Sequence, residues 1–287
     1  MLEQPEVTIA AGRNGHVASP GRLAKYLLQI VANHWQFVYC MLVLGLVFFP
    51  LFIIVIFSFN GVNSTVFPPQ ALSLRWYKEL FGSWEFVDGI QNSLVVAFAS
   101  SLSATALGTL CSFGMERFPF KLKGPLSTLL QINMMIPGLL LGIALLSYFV
   151  LLHVRLSLYT VIISHTVCTV PFVVVSVQAR LRGFDFALEE AARDLGATSW
   201  QAFWKVTLPL VKSSIIGAAL LAFAISFDEF PVTFFTIGTQ HTLPLLIWSM
   251  LRRGISPTIN AISAIVLLVS ITLISLANKY GGLQIRI

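Results

Sequence analysis

EEAARDLGATSWQAFWKVTLPL, residues 189–210, is a polar stretch inside a greasy chain. It carries Glu189, Glu190, Arg193, Asp194, Gln201 and Lys205 around a Gly196-Ala197-Thr198-Ser199 break, with long apolar runs on both sides. Residues 187–195 have helical spacing. Leu188, Ala191, Ala192 and Leu195 line one face, and Glu189, Arg193 and Asp194 the other. The acidic residues near the start of this helix suit its dipole. Gly196 stands where a helix often ends in left-handed geometry. Thr198 or Ser199 then caps a second short helix over 200–206. Pro209 stops or bends that helix before the next apolar run. Ala191 and Ala192 are small enough for another surface to approach closely. The pattern predicts two short helices about a glycine turn, shaped as a knob for a partner's socket. The other reading is a loop that merely ties two spans together. A minimal tie needs only a few residues, so an organised segment over 179–212 favours the knob.

The rest of the chain says where this knob sits. Of 287 residues, 56% are hydrophobic and 10% charged, and the mean hydropathy is +0.84. A soluble domain carries about 25% charged residues, so the class is an all-α polytopic membrane protein. The net charge of +6 does not point to nucleic acid, because the basic residues form neither a run nor a face. Cys40, Cys111 and Cys168 all fall in apolar runs with no CxxC or Cys/His ligand spacing, so no metal site or disulfide is expected.

Six segments are long enough to cross a bilayer at about 20 residues each: 37–59, 90–113, 126–151, 156–178, 213–236 and 258–278. The third and fourth form a hairpin about His153 and Arg155. Residues 1–36 precede the spans. They read as a loose tail plus a surface helix over 22–34, or equally as an extension of the first span. The transmembrane domain is then 37–287, with its loop at 179–212.

Orientation follows from Lys and Arg placement. With the N-terminus inside, Arg13, Arg22, Lys25, Arg117, Lys121, Lys123, Arg180, Arg182, Arg193, Lys205, Lys212, Lys279 and Arg286 lie inside. Arg75, Lys78, Arg155, Arg252 and Arg253 lie outside. The bias puts both termini and the knob in the cytoplasm. In the first outside loop, 60–89, Trp76, Tyr77, Phe81 and Trp84 are expected at the membrane surface as an aromatic belt, with ligand stacking as the alternative.

Glu190-Ala191-Ala192, three residues, Gly196, nine residues, then Val206-x-Leu208-Pro209 resembles the EAA loop of ABC-importer permeases. The family pattern has Ile where this chain has Val206. Asn92-Ser93-Leu94, Met135-Ile136-Pro137-Gly138, the run from Ser226 to Phe230, Leu243-Pro244 and residues 254–261 look like the spermidine/putrescine-type branch. The resemblance covers about residues 35–280. It implies that Glu190, Ala191, Ala192, Gly196, Val206, Leu208 and Pro209 dock into a cytoplasmic ATPase subunit. It also implies two such ATPase subunits, a second and related permease, and an extracytoplasmic solute-binding protein. The chain has no GxxxxGK[ST] loop, so no cofactor is expected here, and ATP and Mg²⁺ would bind the partner.

Phe227, Asp228 and Glu229 fall near the outer end of the fifth span. Charges in a span usually face a cavity or a partner, so they line the solute path or its gate, or else seal it. A polyamine-like cation fits the resemblance, although similar permeases carry other small solutes. Pro137, Pro171 and Pro231 lie inside spans as bends of the path or as packing kinks. Gly138 and Gly142 are spaced for close helix packing. His153, His165 and His241 are scattered and read as packed or interfacial residues. No nucleophile–base set supports a membrane enzyme. The rival function is an ATP-independent secondary transporter or channel, which repeats or a chain of intramembrane charges would favour; no clear repeat is visible.

Overall fold

The structure, a computed structural model, describes residues 20–62, 68–254 and 256–280; the tail preceding Pro20 lies outside them. A bilayer offers no water to unpaired backbone groups, so apolar spans must be helices. Among the described residues there is no strand, only one isolated bridge between Asn60 and Leu72.

Helix α1 (Pro20–Ser58) runs without a break, so nothing separates 22–34 from the first span. Its side chains from Trp35 to Pro50 are exposed. This arm, up to Ile53, forms one unit, and the residues from Ile54 onward pack as another.

The second unit opens with α2 (Arg75–Gly82) and α3 (Trp84–Arg117). Next come α4 (Lys123–Met135), α5 (Gly138–Leu151) and α6 (Leu158–Arg182). The loop helices α7 (Ala187–Asp194) and α8 (Ser199–Ala202) lead through a π-turn, Phe203–Thr207, into α9 (Leu208–Asp228). The described residues end with α10 (Pro231–Thr236), α11 (Leu243–Arg253) and α12 (Pro257–Tyr280). Among the described residues, five helices are long and apolar enough to span, or six if α4 and α5 count as one bent pair.

The centre is a three-helix core of α3, α6 and α9. The buried face of α3 is a stripe of small residues: Ser93, Ala97, Ser100, Ala104, Gly108 and Ser112. Their spacing of three or four positions keeps them on one helical face. Lipid tails are as apolar as leucine, so spans associate by close packing and interhelical hydrogen bonds. The stripe supplies both. A Cβ on Gly108 would lie 2.7 Å from Val173 Cγ1, and Ser112 Oγ donates to Val174 O at 3.2 Å. Val173, Val177, Leu181, Val211, Ala218 and Ala222 fill the space between the three helices.

A second core caps the end opposite the loop. Trp76, Leu80, Phe86, Phe227, Leu243, Leu246 and Ile262 are buried together there. Two motifs meet at this end: Ser93 Oγ accepts from Leu243 N–H at 2.8 Å, and Asn92 Nδ2 donates to His241 O at 3.0 Å.

Four expectations change. The segment 126–151 is not one straight span, because α4 and α5 meet at 109°. Ile136 precedes a proline, which disfavours the α region, and Pro137 has no N–H to continue the ladder. The segment 213–236 is also interrupted, since α9 ends at Asp228 and α10 begins at Pro231. Pro209 does not stop its helix: residues Ser199–Asp228 form one continuous run, and the wider π-turn just before it accommodates a residue with no donor. Trp76 is not in a surface belt. It is 5% exposed, and its indole N–H donates to the Asn60 carbonyl, while Phe81 and Trp84 remain exposed.

Candidate functional site

The loop 179–212 is a folded device. Helix α7 closes with Leu195 N–H donating to Ala191 O at 3.2 Å and Ala197 N–H to Ala192 O at 3.0 Å. Gly196 reverses the chain at φ +90°, in left-handed geometry that favours glycine. Thr198 caps α8: its Oγ1 accepts from Gln201 N–H at 3.2 Å, and Gln201 Oε1 accepts from Thr198 N–H at 3.0 Å. This reciprocal pair is a capping box, and it settles the choice between Thr198 and Ser199. An open polar cleft of about 600 Å³ lies between the two helices, lined by Glu190, Arg193, Asp194, Ala197, Thr198 and Ser199.

On α7 the apolar face is open, and of the polar face only Glu189 is buried. Leu188 and Leu195 are 48% and 90% exposed, whereas Glu189 is 7% exposed. Of the residues singled out for docking, Glu190, Ala191, Gly196 and Pro209 are exposed, and Ala192, Val206 and Leu208 are half-buried. Trp200 and Trp204 continue the apolar exposure beside them. Their rings meet edge to face, 5.4 Å apart.

Glu189 turns inward because two partners wait there. Its carboxylate is ion-paired with Arg117 at the end of α3 and accepts the hydroxyl of Thr207 in the π-turn. The Arg117 guanidinium lies 6.0 Å from the centre of the Phe203 ring, and Phe203 packs edge-on against Phe113 of α3. The spacing pattern missed this arrangement. Its one signal was an acidic residue at the start of a short helix near a basic helix end.

The second candidate region is the break between α9 and α10. Phe227 is buried and stacks on Phe223, with ring centres 6.2 Å apart. Asp228 is exposed and Glu229 half-buried. Glu229 Oε1 accepts from Val232 N–H at 3.2 Å, and Glu229 O accepts from Thr233 Oγ1 at 2.7 Å. The side chain therefore caps the new helix that Pro231 starts. Only Asp228 of the three is left facing out. Gly138 and Gly142 let α5 lie against this break: a Cβ on Gly138 would meet Glu229 Oε1 at 3.2 Å, and one on Gly142 would meet Phe235 Cδ2 at 2.8 Å. Pro137 and Pro231 thus mark breaks, whereas Pro171 is buried inside unbroken α6.

A buried polar chain secures the break. His165 Nδ1 is 2.7 Å from Ser226 Oγ, and its Nε2 is 2.8 Å from Thr233 Oγ1. Ser226 Oγ in turn lies 2.8 Å from Ser100 Oγ. The imidazole thereby joins α3, α6, α9 and α10 and is a packed residue. His165→Leu leaves two buried hydroxyls without this partner. Such bonds in membranes are worth about 0.6–2 kcal/mol each. The thermal midpoint in detergent is expected to fall by several degrees; an unchanged midpoint would show that the chain of hydroxyls carries no stability.

A core of close-packed spans thus lies between broken helices at one end and a folded polar loop at the other. The sequence pattern of the binding-protein-dependent transport system inner membrane component family matches residues 104–280, and the chain belongs to this family. The spermidine/putrescine transport system permease protein PotC of Escherichia coli (strain K12) is 34% identical over 232 residues, spanning 79% of this chain and 86% of that one. The putrescine transport system permease protein PotI of the same strain is 32% identical over 248 residues, 84% of this chain and 88% of that one. Among solved structures, a chain of a bacterial ABC transporter involved in import of the acidic polysaccharide alginate superposes with a TM-score of 0.68. It shares 16% identity, covers 92% of this chain and 99% of that one, and shows the common fold. The protein is a multi-pass inner-membrane permease subunit of an ABC importer that forms the path for a small solute, and not an ATP-independent transporter or channel.

Proposed function

We propose that this subunit passes a polyamine-like cation, handed over by an extracytoplasmic binding protein, and is driven by ATP hydrolysed on separate subunits. The observation that carries the coupling part is the knob. Its exposed face joins Glu190, Ala191, Leu195, Gly196 and Trp200, while Glu189 ties its other side to the spans. A large apolar side chain that is 90% exposed beside a charged cleft is suited to a protein partner. Two ATPase subunits carrying ATP and Mg²⁺ would dock, one on this chain and one on a second, related permease. The knob and both termini then face the cytoplasm, in keeping with the Lys and Arg bias. Ala192, Val206, Leu208 and Pro209 complete the docking set.

The solute class is supported by the two relatives' names and by Asp228, an exposed carboxylate beside a broken helix. Phe227 and Glu229 shape the break, and Asp228 meets the cation. Purification in mild detergent, with mass spectrometry of what accompanies the chain, tests the assembly. An ATPase subunit is the expected companion, and a chain that purifies alone sinks the docking reading. Uptake of labelled putrescine tests the solute. Asp228→Asn is expected to raise its KM about tenfold, the worth of one charge-assisted contact. Unchanged KM would mean that Asp228 only borders the break.

A further inference from the structure

We infer that Glu189 is the positioning residue through which movement of α7 reaches two spans at once. The inference rests on the docking reading above. Glu189 is the one buried residue of a short helix whose other side chains are exposed or half-buried. Its two carboxylate oxygens serve different elements. Oε2 pairs with Arg117, which ends α3, and Oε1 accepts from Thr207, which is fully buried in the π-turn that opens α9.

The covalent routes are poor conductors by comparison. Arg117 is 72 positions from Glu189 in the chain. The direct route to α9 passes through the left-handed turn at Gly196, a residue with open space around it. A push on the outer face of α7 can bend that turn without moving α9. The carboxylate removes this slack, because charge-assisted hydrogen bonds are short and directional. Without Arg117 the buried Glu189 carboxylate would lack its counter-charge, so the two groups stay together. Phe203 reinforces the joint: it lies under the Arg117 guanidinium and packs on Phe113, so the π-turn and the end of α3 share one surface. The three contacts make α7 a lever with its fulcrum at Glu189. α3 and α9 are two of the three central helices, and the far end of α9 is the break at Glu229.

The test uses the complete transporter, purified with its ATPase subunits in nanodiscs. Backbone hydrogen exchange is followed with and without a non-hydrolysable ATP analogue. In the wild type, the analogue is expected to change exchange in both 110–117 and 203–212. Glu189→Ala is expected to retain the ATPase subunits and lose the response in both segments by about tenfold, within the usual range of coupling between sites. Thr207→Val keeps the Arg117 pair and its contact with Phe203, so it is expected to weaken the response in 203–212 and leave that in 110–117 unchanged. A merely structural role for Glu189 predicts no such split. Wild-type responses in both segments of Thr207→Val would overturn the inference, as would a docked wild type with no response in either. A wild type that captures no ATPase subunit would instead sink the docking reading.

Discussion

Gly108→Leu is expected to remove most folded protein from the membrane. Gly108 sits at the closest approach of α3 and α6. A Cβ there would lie 2.7 Å from Val173 Cγ1, 2.8 Å from Val173 Cβ and 3.3 Å from the Val170 carbonyl. Val173 has little freedom to yield. It is fully buried, β-branched and therefore stiff at χ1, and it is enclosed by Ala104, Val177 and Ala222 in the same core. The leucine can be housed only if the two helices separate. Separation would stretch the Ser112 to Val174 hydrogen bond one turn away and expose the small-residue stripe. Overpacking costs about 1–3 kcal/mol in soluble cores, and more when two backbones must part. Gly114 lies on the same helix, and a Cβ there would meet nothing within 4 Å, so Gly114→Ala is the control. Membrane yield and thermal midpoint in detergent are the measurements. Gly114→Ala is expected near the wild type, Gly108→Ala below it and Gly108→Leu lowest. Equal midpoints for all three would mean that α3 and α6 do not meet as described.

Much of this architecture is legible in the chain because lipid removes the alternatives. An apolar run of sufficient length has to be a helix, so the spans at 90–113 and 258–278 fall within α3 and α12, and 156–178 matches α6 except for its first two residues. The turn about His153 is equally plain, with its backbone at φ 54°. Hydropathy fails where direction rather than composition matters. In the run 126–151 Pro137 signals a bend or a kink, but hydropathy does not report that the turn is 109°. Pro137, Pro171 and Pro231 look alike in sequence, yet two begin helices and one lies inside a helix. In α6, Asn133 Nδ2 donates at 3.0 Å to the Val167 carbonyl that Pro171 leaves without its ladder partner. Trp76 escaped the expected belt because the register of α2 points Trp76 and Leu80, four positions apart, into the core and turns Phe81 outward.

The loop was readable in outline, but the inward turn of Glu189 was not. Glycine at 196 and the cap at Thr198 follow from local backbone chemistry, which needs no tertiary information. The burial of Glu189 on α7 does not. Here Leu188 and Leu195 face out, and a carboxylate is drawn in by an arginine from a helix 72 positions away. Long-range pairing of that kind has no signature in local periodicity. An exposed apolar face and a buried charge on one short helix belong together: the charge holds the helix in place while the apolar face stays free for another surface.

Gly196→Asp is expected to abolish uptake while leaving insertion and folding nearly intact. Gly196 adopts φ +90°, where an L residue is strained. The strain of a left-handed residue is about 1–2 kcal/mol, and aspartate tolerates that region better than most. A Cβ at this position meets nothing within 4 Å inside the chain. The space is therefore free in this subunit, and the whole effect falls on whatever approaches from outside. A carboxylate added there stands between Leu195 and Trp200, which are 90% and 69% exposed. A docked surface would have to bury it without a partner, at about 2 kcal/mol or more, equivalent to roughly thirtyfold weaker capture. Gly196→Ala imposes a similar backbone strain with no charge and little bulk, so it separates the two causes. Full-length protein should reach the membrane in both variants, with thermal midpoints close to the wild type. Capture of the ATPase subunit and ATP-driven uptake of putrescine should fail for Gly196→Asp and survive in Gly196→Ala. Failure of both variants would assign the role of Gly196 to its backbone geometry, since a strained turn would then be enough to misalign α7 and α8. Normal capture by Gly196→Asp would move the docking face away from the glycine turn altogether.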